Sequence, residues 1–208
     1  MIDTGPLALH SGPERLRWVG IGSVWSGAMQ LDDLGPRICI LGPSNSGKST
    51  MAQAIAQACD CVPVHLDQLH HLPNTAWTPR PRQDFMALHC TAIAKERWVM
   101  DGNYLGCLAQ RLARATGVIV LDVPTIVSVM RYLRRSWCEP YRYGALEGGK
   151  NQVTWAMLHH IAIVERRKQT ELSRSIEAVA LPTIALRTTS AIDRFYRVER
   201  LQRPDWRD

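Results

Sequence analysis

Gly42-Pro43-Ser44-Asn45-Ser46-Gly47-Lys48-Ser49 fits the pattern G-x-x-x-x-G-K-[ST], and nothing else in the chain limits the possible folds as strongly. The pattern works only between a strand and a helix. Arg37-Ile38-Cys39-Ile40-Leu41 before it reads as a short buried strand. After it, Met51, Ile55 and Ala58 recur at helical spacing from Lys48 to Cys59. Glycines let the backbone turn successive N–H groups toward one anion, and the following helix adds the positive end of its dipole. The nucleotide-binding set is then Gly42, Pro43, Ser44, Asn45, Ser46, Gly47, Lys48, Ser49 and Thr50. Lys48 is expected at the β- and γ-phosphates of ATP, and the Ser49 hydroxyl on a magnesium ion.

The rest of the chain alternates strand and helix. Val62–Leu66, Trp98–Met100, Gly117–Leu121 and Thr183–Leu186 read as four further strands. Helices are expected over Gln83–Lys95, with Phe85, Leu88 and Ile93 inward, and over Leu105–Ala115 and Thr125–Trp137. Val153, Met157, Ile161 and Val164 mark another helix, and Ser190-x-x-Asp193 is expected to cap the last. Such alternation predicts an α/β fold, a five-stranded parallel sheet with helices on both faces. A length of 208 residues suits one such domain. Residues 1–36 show no sustained period and read as a disordered extension, with Met29 a possible start; residues 37–208 form the domain.

The formal charge of +6 comes almost wholly from arginine, which suits phosphate recognition in either a nucleotide or a nucleic acid. No helix-turn-helix, zinc-finger spacing or basic cluster with interleaved aromatics supports specific nucleic-acid binding. The six cysteines form no C-x-x-C pair and read as reduced thiols. With neither a signal pattern nor a long apolar run, a cytoplasmic protein off the membrane is expected. Monomer and dimer stay open.

Further residues complete the expected site. Asp101 ends an apolar strand, where a carboxylate beside the loop can hold magnesium. Asp122 also ends a strand, but Val123-Pro124 follows and a turn role fits it better. Arg131 and Arg135 share a helix face and are placed on the transferring phosphate, with Arg134 beside them. The glycine-rich stretch Gly144–Gln152 suggests a lid over about 131–168. Asp67 follows the second strand and could orient or deprotonate an acceptor hydroxyl. Arg80, with Trp77 and Arg82, could line an acceptor pocket. Zinc on His70 and His71 is disfavoured, since adjacent histidines do not face one centre.

These residues together resemble the adenylate-kinase-like P-loop proteins, and more closely the FlaR-like "DNA topology modulation" group. The segments that carry the resemblance are Ile40 through Thr50, His65-Leu66-Asp67-Gln68-Leu69-His70, Trp98 through Tyr104 and Leu121-Asp122-Val123-Pro124. The resemblance implies sheet order of the nucleoside-monophosphate-kinase type, ATP in the loop and a small arginine-bearing lid. It also implies magnesium duty for Asp101 and lid duty for Arg131 and Arg135. Asn103-Tyr104 stands where adenylate kinases carry Phe-Pro-Arg, and Asn45 stands where glycine is common. The expected activity is transfer of the ATP γ-phosphate to a small acceptor, a nucleotide or a small alcohol. The alternative is an ATPase or regulatory P-loop protein linked to nucleic acid.

Overall fold

The computed structural model describes residues 29–75, 77–124, 126–130 and 165–204. Five strands, β1 (Arg37–Leu41), β2 (Pro63–His65), β3 (Trp98–Asp101), β4 (Gly117–Leu121) and β5 (Thr183–Leu186), form one sheet in the order β2-β3-β1-β4-β5. Every pairing is parallel. Helices among the described residues include α1 (Lys48–Ala58), α2 (Leu66–His70), α3 (Arg82–Ala94), α4 (Leu105–Arg114), α5 (Glu165–Val179) and α6 (Thr189–Val198). This is the five-stranded parallel α/β sheet expected from the alternation of elements, and it matches the nucleotide-kinase-like fold that the resemblance implied. No helix among the described residues is long and apolar enough to cross a membrane.

The strand side chains explain why both faces are covered. Along β1, Ile38 and Ile40 point to one face, and Cys39 and Leu41 to the other, with all four buried. Ile38 and Ile40 join Met51 and Ile55 of α1, Ile119 and Leu121 of β4, and Phe195 of α6. Cys39 and Leu41 join Phe85 of α3, Leu108 and Leu112 of α4, and Leu172 and Ile176 of α5. The chain lays β2 and β3 on one side of β1, then crosses to β4 and β5 on the other. The connections after β1 and after β4 leave in opposite senses, and the crevice at the carboxyl ends of these adjacent strands is where ligands bind in open parallel sheets.

Several expectations change. Residues 29–36 are not part of a disordered extension: Leu31 and Leu34 of a 3-10 turn (Leu31–Leu34) are buried in the α1 face. Leu34 lies so close to Gly117 that a Cβ there would come within 2.5 Å of the leucine Cβ. The second strand stops at His65, and Leu66 turns inward to open α2. Leu88 is exposed, because the buried stripe of α3 runs through Phe85, His89, Ala92 and Ile93. The α6 cap is Thr188, whose hydroxyl accepts from Ala191 N at 3.0 Å, not Ser190. Helix α5 was not expected, since its sequence is mostly charged or polar; among its described side chains Leu172, Ser173 and Ile176 are buried. Arg131, Arg134, Arg135, Cys138, the glycine-rich stretch, the helix marked by Val153–Val164 and the lid up to residue 164 lie outside the described residues.

Candidate functional site

The loop after β1 has the backbone that anion binding needs. Gly42 (φ 143°) and Gly47 (φ 101°) are left-handed, and Asn45 joins them at φ 60°. Asparagine is among the few non-glycine residues that adopt this conformation readily, which accounts for Asn45 in place of a glycine. Gly42 is required on a second count: a Cβ there would sit 2.2 Å from the Leu121 carbonyl oxygen. Ser46 N donates to Pro43 O at 3.3 Å, closing the turn. Lys48 folds back over the loop and donates from Nζ to Pro43 O at 2.7 Å. Gly47 caps α1, so the helix N-terminus opens directly under the loop.

The tip of β3 supplies what the loop lacks. Sheet register sets Asp101 beside Ile40 on one side and His65 on the other. Its carboxylate is buried and used at both oxygens: Ser49 Oγ donates to Oδ2 at 2.8 Å, and His65 Nδ1 donates to Oδ1 at 2.5 Å. Asn103 locks the next residues onto the loop. Its side chain accepts from Gly42 N at 3.1 Å and donates to Gly42 O at 2.9 Å. Arg111, wholly buried, donates from one terminal nitrogen to Gly102 O at 2.8 Å and Asn103 O at 3.3 Å. The segment Asp101–Tyr104 is therefore held from three sides.

Ser49 and Asp101 present two hard oxygens at the mouth of the phosphate-type loop, and this donor set fits magnesium. That ion commonly takes one or two protein oxygens and completes its shell with water and substrate phosphates. Among the described residues no group of three or more His, Cys, Asp or Glu side chains could hold a metal ion by itself.

A second cluster stands beside the loop, beyond β2. Asp67 is exposed in the first turn of α2, and Tyr104 OH donates to its Oδ1 at 2.7 Å. Burial, then the Asp67 charge, push the Tyr104 phenol up, so it stays a donor. His70 packs against Phe85 (centroids 5.1 Å), Tyr104 (4.8 Å) and His71 (4.5 Å), and His71 meets Trp77 at 5.2 Å. Burial and the neighbouring His71 lower the His70 pKa. The loop from His71 to Pro79 closes on itself through a bridge between those two residues. Arg80 fastens it: Nε donates to Leu69 O at 3.0 Å and a terminal nitrogen to His71 O at 3.4 Å.

The structure thus brings together Gly42–Ser49 and Asp101, with Asp67 linked to them through Tyr104 and Asn103. Arg80 serves the loop backbone, and Asp122 is tied by its N–H to Leu186 O at 2.9 Å. Arg131 and Arg135 lie outside the described residues. Sequence reasoning missed His65, Asn103 and Arg111 as parts of the site. Only strand register reveals His65, and residue polarity gives no sign that Arg111 is buried with Leu108 and Leu112. No protein-family model matches the chain, and no curated protein matches it either.

Proposed function

We propose that this chain is a P-loop phosphotransferase that uses ATP with magnesium and passes the γ-phosphate to a small acceptor. The observation that carries this reading is the bond from Ser49 Oγ to Asp101 Oδ2, which joins the loop of β1 to the tip of β3 at the sheet's carboxyl edge. A glycine loop alone would suit many anions. A loop serine paired with a strand-tip carboxylate suits a nucleotide triphosphate bound with a divalent cation.

In this reading the loop amides and the α1 N-terminus hold the phosphates, and Lys48 leaves Pro43 O to meet the β- and γ-oxygens. Ser49 and Asp101 hold magnesium, whose chemistry there is neutralisation of phosphate charge. Asp67 faces the acceptor side and takes the proton of an attacking hydroxyl, with Tyr104 orienting its carboxylate. Arg131 and Arg135 are proposed to offset charge on the transferring group. Because Asn103 and Tyr104 occupy the place of an acceptor-gripping arginine, a hydroxyl acceptor fits better than a phosphate one. The resemblance to the FlaR-like group agrees with a kinase-like fold and says nothing of DNA binding.

A phosphoryl-transfer screen with γ-labelled ATP and magnesium, over nucleoside monophosphates, nucleosides and small alcohols, tests this. Label is expected on at least one acceptor, and Asp101→Asn should lose that transfer. Release of phosphate without any acceptor, stimulated by duplex DNA, would overturn the reading in favour of a nucleic-acid-linked ATPase.

A further inference from the structure

We infer that His65 is a positioning residue for the metal-binding carboxylate: it fixes Asp101 in the one orientation that keeps an oxygen beside Ser49. The inference rests on the proposed magnesium-nucleotide reading of Ser49 and Asp101. It concerns a residue that touches neither nucleotide nor acceptor in that reading.

Three observations carry it. First, register places His65 and Asp101 directly side by side on β2 and β3, so their pairing is built into the sheet rather than left to loop conformation. Second, the pair is withdrawn from water, with each side chain 7% exposed and Nδ1 2.5 Å from Oδ1. A bond from an imidazole N–H to a carboxylate is strengthened by the charge and by the dry surroundings. Third, the two carboxylate oxygens are used from opposite sides, by His65 on Oδ1 and by Ser49 on Oδ2. A carboxylate is free to rotate about its last bond. Holding one oxygen on the β2 side fixes the other on the loop side, where a cation would be shared with Ser49.

Without the imidazole, Asp101 would keep its charge but lose the partner that sets its rotation. Part of its time would then be spent with both oxygens turned from the loop. Partners that orient metal ligands in this way typically account for about 10- to 100-fold in metal affinity. His65 also begins the turn into α2, two residues before Asp67, so the same residue spaces the acceptor-side carboxylate from the metal side.

The test uses the full chain and manganese(II) as the probe, with free ion followed by electron paramagnetic resonance in the presence of ATP. ATP affinity in EDTA is measured alongside. His65→Leu should weaken manganese retention in the ATP complex roughly tenfold. His65→Asn, whose amide N–H can replace Nδ1–H, should stay within about threefold of wild type, small against that tenfold loss. Metal-free ATP affinity should be the same in all three. Should the leucine variant fail to fold, His65→Gln takes its place, since its longer arm misdirects the N–H and should show the same loss. Wild-type manganese retention in His65→Leu or His65→Gln, with Asp101→Asn weakened, overturns the positioning role and leaves the magnesium reading standing. Wild-type retention in Asp101→Asn as well overturns the magnesium reading itself. An equal loss in the asparagine variant also overturns the proposal, because the imidazole would then matter for packing and not for its N–H.

Discussion

The proposed phosphate flank and the proposed acceptor flank lie along one sheet edge but are built in different ways. The proposed phosphate flank is a run of consecutive residues, Gly42 to Ser49, whose backbone angles would do the binding. The acceptor flank is assembled from side chains of α2, the loop ending at Arg80, α3 and the tip of β3. Backbone geometry tolerates almost no change at its left-handed positions, whereas a side-chain cluster can lose one member and keep its shape. The two flanks should therefore fail differently when perturbed.

The sharpest break belongs to the phosphate flank. Gly42→Ala forces a Cβ to within 2.2 Å of the Leu121 oxygen at φ 143°. Backbone strain and clash together should cost on the order of 3 kcal/mol, and ATP binding should disappear with the loop shape. Urea melts and nucleotide titration read both effects. A variant that melts like wild type would mean that the phosphate flank is as forgiving as the acceptor flank.

A narrower effect, on stability alone, is expected beneath the acceptor flank. His89 of α3 is fully buried, and neither ring nitrogen has a hydrogen-bond partner among the described residues. Burial, then the Arg111 charge, lower its pKa to about 4. Between pH 6.5 and that value the unfolded chain binds a proton that the folded chain refuses, so stability falls as pH drops through this window. The loss should reach about 3 kcal/mol. Carboxylates titrate there too, so the decisive quantity is the difference between wild type and His89→Leu. A difference that stays constant from pH 7 to pH 4 would show that His89 is not held neutral.

The smallest effect is expected at Tyr104. Tyr104→Phe removes one hydrogen bond to Asp67 and leaves the ring stacked on His70 and Phe85. About 0.5–1.5 kcal/mol of stability should go, with ATP affinity unchanged and the acceptor concentration needed for transfer raised. Loss of ATP binding in this variant would merge the two flanks into one site.

The same contrast explains what could be read from the sequence. Gly42–Ser49, β1, β4 and β5 were legible because short-range pattern and local chemistry decide them. Asp101 was legible as an acid ending an apolar run. His65 was not, because its partner lies 36 positions away and only parallel register sets them together. Asn103 reads locally as a departure from arginine, while its part in locking Gly42 needs the parallel pairing of β3 with β1. Helix α2 was hidden by its length, since Leu66–His70 is too short to show a helical period. His89 and Arg111 defeat reading by polarity, being charged or polar residues placed in buried stripes.

Calorimetric titration of ATP with magnesium into wild type and Lys48→Ala tests the phosphate flank most directly. Saturable binding by wild type and none by Lys48→Ala, at unchanged melting temperature, is the predicted result. Wild-type affinity in the lysine variant would contradict a phosphate-binding loop at Gly42–Ser49.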